Sequence, residues 1–324
     1  MSRSNIRDPS DWIDDFQKAS QTRDYFALHE LRREVFQTTV ETVRQRWYEA
    51  GGARVELDAD GQYRRLHEGT VFYPSTNDEL ITKIDQRRIF ETAVTAVPAD
   101  SLDTACQVKN NSRPPLVLNM ANRHNPGGGV LEGSGAQEEN LFRRSNLFWS
   151  LYQFAEYADQ YGVSPHSGGL RYPIQKDSGG IYSPGAQVFR SSEATGYAVL
   201  AAPYLVSFVT VPAISNPPTE ERDGRLWLTP DIAEATQTKI RAILRIAAHH
   251  AHVDLVLGAF GCGAFRNPPN HMAKLFRETL EDEEFAGVFR TVTFAIIDDH
   301  NARRPGSRGG NFAPFEREFE GIRA

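Results

Sequence analysis

The sequence has few of the features that indicate an extracellular or membrane protein. It contains only two cysteines, Cys106 and Cys262, which are too few for a disulfide framework and are typical of a reducing compartment. No apolar run reaches the roughly 20 residues that a membrane-spanning helix needs. The N-terminus also has no apolar signal-peptide segment. We therefore expect an intracellular protein, cytoplasmic or nuclear, without membrane contact.

Basic charge and metal-ligand motifs are also scarce. The 36 Lys and Arg residues are outnumbered by 42 Asp and Glu residues, so the net charge of −6 gives no overall attraction to nucleic acid. His249, His250 and His252 close a predicted helix, where the helix dipole favours histidine, and no cysteine or carboxylate cluster accompanies them. A strict G-x-G-x-x-G is absent, which disfavours a nicotinamide dehydrogenase. We expect neither a metal nor a cofactor.

The hydrophobic pattern divides the chain near residue 92. Residues 11–50 have near-helical apolar spacing, and residues 53–75 alternate weakly, as in a hairpin or irregular strands; another helix-prone stretch begins near Ser75. Further along, predicted strands alternate with helical patterns: strands at 116–120, 199–211, 253–257 and 292–297, and helices at 137–157, 230–249 and 271–280. The prediction is an α/β domain with a mixed or parallel sheet over residues 93–324, preceded by a helical accessory segment over residues 1–92.

Glycine and glutamate are concentrated directly after the strand at 116–120. The run from Asn125 to Glu139 reads NPGGGVLEGSGAQEE and ends in two adjacent carboxylates. Glycine backbone can bend tightly and approach a ligand closely, and its N–H groups can cradle phosphate. Carboxylates accept hydrogen bonds when ionised and can act as acids when protonated. This combination indicates a phosphorylated sugar substrate with a bond to be cleaved.

A second glycine-rich loop follows the strand at 253–257, with Gly258, Gly261 and Gly263 at short spacing. It is either a second phosphate-contacting loop or a bend that needs glycine only for packing. Both loops leave the carboxyl ends of predicted strands, where open α/β sheets bind their ligands.

The motifs resemble those of the poly(ADP-ribose) glycohydrolases. Gly127-Gly128-Gly129, a seven-residue spacer and Gln137-Glu138-Glu139 are similar to the signature of that family. Further likeness to its compact microbial type, bacterial or fungal, runs over roughly residues 95–300, in segments 117–122, 141–151, 182–190 and 257–265. The resemblance implies a macrodomain-like three-layer α/β/α fold with a mixed sheet. It also implies metal-free hydrolysis of ribose–ribose O-glycosidic bonds in poly(ADP-ribose), releasing ADP-ribose.

The resemblance also implies roles for individual residues. Glu139 would be the general acid/base, and Glu138 would fix the ribose hydroxyls and support its neighbour. Asn122 and Asn125 would contact the ribose that is cleaved, although asparagine also caps turns for local reasons. The other expected substrate-binding residues, with Cys262 as a small residue rather than a nucleophile, are Gly127, Gly128, Gly129, Val130, Gln137, Gly261, Cys262, Gly263, Ala264 and Phe265. The expected partners are poly(ADP-ribose), ADP-ribose and ADP-ribosylated proteins, bound by a monomer.

Other interpretations remain open on the sequence alone. The chain could bind ADP-ribose without cleaving it, or remove single ADP-ribose groups from protein or nucleic acid with the same residues. Glu138 and Glu139 could also be a solvated pair in the first turn of a helix, where the dipole favours them. The basic stretch from Arg303 to Arg308 could contact a polyanion or be merely solvated.

Overall fold

The computed structural model describes residues 6–75, 89–108, 113–298, 302 and 310–321. The helix-prone stretch after Ser75 and the basic stretch from Arg303 to Arg308 lie outside these residues. Within the described part of the chain, no helix is long and apolar enough to cross a membrane.

Beyond residue 92 the strands predicted near 116–120, 199–211, 253–257 and 292–297 are present. The helix predicted over 137–157 ends at Arg144, a second one covers Leu147–Leu151, and four strands between residues 180 and 228 follow one another without an α-helix. The helices are α1 (Pro9–Thr22), α2 (Tyr25–Gln45), α3 (Gln62–Glu68), α4 (Ser101–Val108), α5 (Gln137–Arg144), α6 (Leu147–Leu151), α7 (Pro230–His249), α8 (Pro269–Leu280) and α9 (Phe312–Phe319). The strands are β1 (Trp47–Ala50), β2 (Ala53–Glu56), β3 (Val71–Tyr73), β4 (Ala93–Val97), β5 (Leu116–Met120), β6 (Gly180–Arg190), β7 (Val199–Val211), β8 (Thr219–Arg222), β9 (Arg225–Leu228), β10 (Asp254–Leu257) and β11 (Thr291–Ala295).

The chain forms two compact units that interleave in sequence. The first contains the described residues up to Val71, together with Ala121–Pro173 and Ser183–Ser207. The second contains Phe72–Met120, Ile174–Tyr182 and the described residues from Phe208 onward. The predicted division of the chain at residue 92 is a statement about sequence segments and stays a prediction.

A seven-stranded sheet has the strand order β3-β6-β7-β5-β10-β11-β4. Strands β5, β10, β11 and β4 are parallel. The connection 191–198 between neighbours β6 and β7 is too short for a parallel crossover, so these two strands are antiparallel. The crossovers β4-α4-β5 and β10-α8-β11 run in opposite directions across the sheet, so the right-handed rule puts α4 and α8 on opposite faces. The predicted mixed α/β fold is confirmed.

The residues predicted as helical, 11–50, form helices α1 and α2 of the first unit, but residues 47–50 form strand β1 instead. Asp8 caps α1 by accepting from Ser10 N, and Arg23 ends the helix in a left-handed conformation (φ 56°). Asp24 then caps α2 by accepting from Ala27 N. The helix is broken because a cap residue and a left-handed residue are adjacent at this point.

Helix α3 occupies part of the segment that was predicted as hairpin or irregular strands, so that prediction was wrong for residues 62–68. The turn at Asp60-Gly61 exists, with both residues at positive φ, but it leads into a helix. Asp58 accepts a 2.8 Å hydrogen bond from Tyr63 N, and Tyr63 and Leu66 are buried. Two apolar residues at helical spacing therefore outweigh the weak alternation.

The end of α7 carries a buried histidine cluster in the second unit. The ring of His250 stacks on Tyr182 with centroids 3.5 Å apart, and its Nε2 lies 2.8 Å from the Tyr73 hydroxyl. The Nε2 of His252 lies 2.8 Å from the Tyr182 hydroxyl. Burial, reinforced by His249 and His252, lowers the pKa of His250 to about 3. Burial, reinforced by the Arg113 charge, lowers the pKa of His252 to about 4. Both imidazoles are therefore neutral in the folded protein at neutral pH.

We expect this cluster to make folding stability depend on pH. Because both histidines bind protons more weakly in the folded chain than in the unfolded chain, stability should fall as the pH drops below about 6.5. Each of the two histidines should lower the free energy of unfolding by on the order of 2 kcal/mol when the pH falls from 7.5 to 4.5. Guanidinium unfolding at pH 7.5, 6.0 and 4.5 measures the loss. His252→Gln should make the free energy of unfolding depend less steeply on pH, whereas His124→Gln, at an exposed position, should leave that dependence unchanged. An equal pH dependence in both variants would contradict the interpretation.

Candidate active site

The loop after β5 begins with a local turn built by Asn122. The side-chain Oδ1 of Asn122 accepts hydrogen bonds from His124 N at 2.8 Å and Asn125 N at 3.1 Å. Gly128 N then donates to Asn125 O at 3.0 Å. The turn-forming interpretation of these asparagines is therefore realised, and a contact of either side chain with substrate stays a prediction.

Backbone amides of this loop hold the two adjacent glutamates. The carboxylate of Glu138 accepts from Asn122 N at 2.6 Å and from Gly127 N at 3.1 Å. Glu139 Oε1 accepts from Gly129 N at 2.9 Å. Both side chains are buried, with 3% and 7% of their surface exposed. This excludes the solvated pair considered for the sequence, and it shows that the amides of Gly127 and Gly129 are used inside the loop.

Glu139 is held by one carboxylate oxygen only. Its Oε2 is buried and has no hydrogen-bond partner among the described residues. Because buried polar atoms are nearly always hydrogen-bonded in folded proteins, an unpaired carboxylate oxygen indicates a group that interacts with something else. One oxygen is anchored to the loop, and the other is available to exchange a proton or hydrogen bond with a ligand.

The position of Glu138 and Glu139 follows from local helix chemistry. Both lie in the first turn of α5, where the backbone N–H groups and the helix dipole favour negative charge. Gln137 is the first residue of the helix and is half-buried. Val130, in the glycine-rich loop that precedes α5, is fully buried, and its N–H donates to Gly127 O at 3.0 Å. The predicted residues from 122 to 139 therefore come together within the first unit.

Gly128 is required at the closest approach of the loop to the carboxylates. A Cβ at this position would lie 2.5 Å from Glu139 Oε1 and 3.2 Å from Glu138 Oε2. Its φ of +56° is also a conformation that side-chain-bearing residues rarely adopt. Any other residue would push the carboxylates out of their hydrogen bonds with the loop.

We expect Gly128→Ala to lower catalytic turnover at least about tenfold, because a displacement of about 1 Å in a catalytic group can cost that much or more. Gly51→Ala is the matched control: its φ of +57° gives the same backbone strain, but a Cβ there meets no atom within 4 Å. Steady-state kinetics of both variants separate the two effects. Equal turnover in the two variants would contradict the steric role of Gly128.

The second glycine-rich loop lies in the second unit and is organised by Asn267. The side-chain amide of Asn267 donates to Ile214 O at 2.8 Å and to Gly261 O at 3.1 Å. Asn216 N donates to Phe265 O at 2.8 Å, which fixes the far side of the loop. Phe265 is half-buried, Ala264 is exposed, and Gly263 O accepts from Arg266 N at 3.1 Å. Sequence reasoning missed Asn267, whose only signal was an asparagine before two prolines.

Cys262 is a buried residue in this loop. Burial raises the pKa of its thiol far above the ordinary value, so it does not form the thiolate that a nucleophile needs. This agrees with the prediction of a small residue.

We expect alkylating reagents to modify the half-buried Cys106 but not Cys262 in the folded protein, and to reach both after unfolding. Peptide mass spectrometry measures the labelling; rapid native labelling of Cys262 would contradict its inert character.

No group of three histidine, cysteine or carboxylate residues that could hold a metal ion occurs among the described residues.

Comparisons with known proteins point to one family. The model of the microbial-type poly(ADP-ribose) glycohydrolase catalytic domain matches residues 36–191. The structure of poly(ADP-ribose) glycohydrolase from Thermomonospora curvata bound to the inhibitor ADP-HPD is 32% identical, with a TM-score of 0.67, covering 88% of this chain and 98% of that chain. The glycohydrolase from Deinococcus radiodurans in complex with ADP-ribose is 29% identical, with a TM-score of 0.61, covering 83% and 100%. No curated protein sequence matches the chain.

Proposed function

This chain belongs to the microbial-type poly(ADP-ribose) glycohydrolases, and we propose that it hydrolyses the ribose–ribose O-glycosidic bonds of poly(ADP-ribose) with Glu139 as general acid/base. The observation that carries the proposal is the asymmetric state of Glu139. One of its oxygens is fixed by Gly129 N, and the other is buried without a partner. A residue that only stabilised the loop would not need a free oxygen.

The mechanism needs one proton donor and one water molecule. Glu139 gives its proton to the oxygen of the departing ribose while the bond to the anomeric carbon breaks through an oxocarbenium-like state. The resulting carboxylate then takes a proton from the water that attacks that carbon, so Glu139 ends the cycle protonated. Glu138 stays fixed by two amides and orients the ribose hydroxyls as an acceptor.

The remaining predicted residues would bind the rest of the ADP-ribose unit. Gly261, Gly263 and the exposed Ala264 belong to a loop whose conformation is held by Asn267, which suits a rigid backbone that contacts the diphosphate. The half-buried Phe265 would pack near the distal ribose. Asn122 and Asn125 would contact the ribose that is cleaved.

The proposed activity also implies protein partners and a cellular location. The polymer is carried by ADP-ribosylated proteins, which are the partners that such an activity implies, and an intracellular site of action fits the sparse cysteine content. A domain that binds ADP-ribose without cleaving it has no need for a buried carboxylate with a free oxygen. Removal of single ADP-ribose groups remains a second substrate class for the same acid.

We expect Glu139→Gln to abolish release of ADP-ribose while binding of ADP-ribose survives, because the amide keeps an oxygen for Gly129 N but cannot transfer the proton. Glu132→Gln is the control, since Glu132 is an exposed carboxylate in the same loop. Poly(ADP-ribose) and a mono-ADP-ribosylated protein should be tested in parallel, with product release measured by chromatography and binding by calorimetry.

The outcomes separate the candidates. Release from the polymer by the wild type and Glu132→Gln, but not by Glu139→Gln, supports the proposal. Undiminished turnover in Glu139→Gln removes Glu139 as the acid/base. Release only from the mono-modified protein favours the second substrate class, and release from neither substrate favours a binding module.

A further inference from the structure

The first unit contains a polar network, partly buried at Arg32 and Glu193 and fully buried at Tyr197 and Arg143, that reaches the catalytic loop from the N-terminal helix α2. Arg32 forms a two-pronged ion pair with Glu193, from Nε at 2.8 Å and from Nη2 at 2.9 Å. The hydroxyl of Tyr197 donates to Glu193 Oε2 at 3.0 Å and accepts from Arg143 Nε at 2.8 Å. The network ends on the loop, where Arg143 Nη1 donates to Ser134 O at 2.8 Å.

The same arm of the loop also rests directly on α2. The backbone of Gly133 passes close to the carbonyl of His29, and the backbone of Gly135 passes close to the guanidinium of Arg32. A side chain on either glycine would overlap these atoms. Helix α2 therefore supports residues 133–135, the distal arm of the glycine loop. The supporting residues, His29 and Arg32, precede the segment matched by the family model.

A short path of contacts connects this arm to the acid. Ser134 N donates to Gly129 O at 2.9 Å, and the Ser134 side chain packs against Gly129. Gly129 N in turn holds Glu139 Oε1. Arg143 is one helical turn beyond Glu139 on α5, so the network fixes both the loop and the helix between which the acid is held.

We propose that Arg32 is a positioning residue for Glu139: through Glu193, Tyr197 and Arg143 it holds the distal arm of the glycine loop, and thereby the amide that orients the acid. This inference rests on the proposed function of Glu139. If Arg32 has this role, helix α2 contributes to the geometry of the catalytic acid as well as to the stability of the fold.

The charges support a rigid network. Burial alone would lower the pKa of Arg32, but the hydrogen bond and charge of Glu193, with smaller contributions from Tyr197 and Glu139, raise it overall. Burial would raise the pKa of Glu193, but the Arg32 hydrogen bond and charge lower it overall. Both groups are therefore ionised at neutral pH, and removing one leaves a partly buried charge without its partner.

The test compares Arg32→Met with Arg33→Met. Arg33 is the next residue on α2 and pairs at the surface with Glu30, so its replacement removes the same charge from the same helix without touching the network. For Arg32→Met we expect kcat to fall at least about tenfold and KM to change less than about threefold. Arg33→Met should behave as the wild type. Circular dichroism at the assay temperature verifies that each variant is folded.

Tyr197→Phe provides a milder break in the same network, because it removes one hydroxyl and leaves the ring packed edge-on against Trp12. It should lower kcat in the same direction. The double variant Arg32→Met/Tyr197→Phe should lose no more than the larger single effect, because both substitutions interrupt one chain of contacts. Multiplied losses would overturn the proposal.

A readout that does not need activity keeps this inference separate from the proposed function. Amide hydrogen exchange over residues 126–137 should become faster in Arg32→Met and stay unchanged in Arg33→Met. If neither the wild type nor Arg33→Met cleaves the polymer, the proposed function fails, and the exchange result still decides whether Arg32 holds the loop. Equal exchange and equal kcat in the two arginine variants would overturn the proposal.

Discussion

The hydrogen bonds from backbone amides to two adjacent glutamates are the interaction on which the rest of the site depends. Gly127 N and Asn122 N hold Glu138, and Gly129 N holds Glu139. These bonds exist only because the backbone comes close enough to touch the carboxylates, which excludes a side chain at Gly128. The glycine run is thus first a device for orienting carboxylates inside the protein. A contact between this loop and the substrate phosphates would be a second role of the same glycines.

A loop rich in glycine is conformationally free by itself, and its order must come from its surroundings. Three elements contact this loop or its neighbours: α5, which carries the glutamates and Arg143; helix α2, close to Gly133 and Gly135; and the partly buried ion pair of Arg32 with Glu193. The N-terminal helices are in turn held by the packing of Trp12 on Tyr197. Stability of the first unit and geometry of the acid are therefore linked through the same residues.

Periodicity predicted the mixed α/β fold well, because β5, β7, α7 and α8 have clear apolar patterns with proline or glycine at their ends. The motif from Gly127 to Glu139 is continuous in sequence, so its assembly was predictable. The pairing of Arg32 with Glu193 was not, since 161 residues separate them and neither stands in a motif. Helix α3 was missed because its apolar residues, Tyr63 and Leu66, are too few to show a period.

Glu139 Oε2 has no hydrogen-bond partner among the described residues, and we propose that it interacts with the glycosidic oxygen. A crystal structure of Glu139→Gln with an intact poly(ADP-ribose) fragment tests this most directly. We expect the side-chain atom replacing Oε2 to lie within hydrogen-bond distance of the oxygen between the two riboses, while the Gly129 N contact of 2.9 Å is kept. A bound fragment whose glycosidic oxygen is out of reach of residue 139, or contacts Glu138 instead, would contradict it.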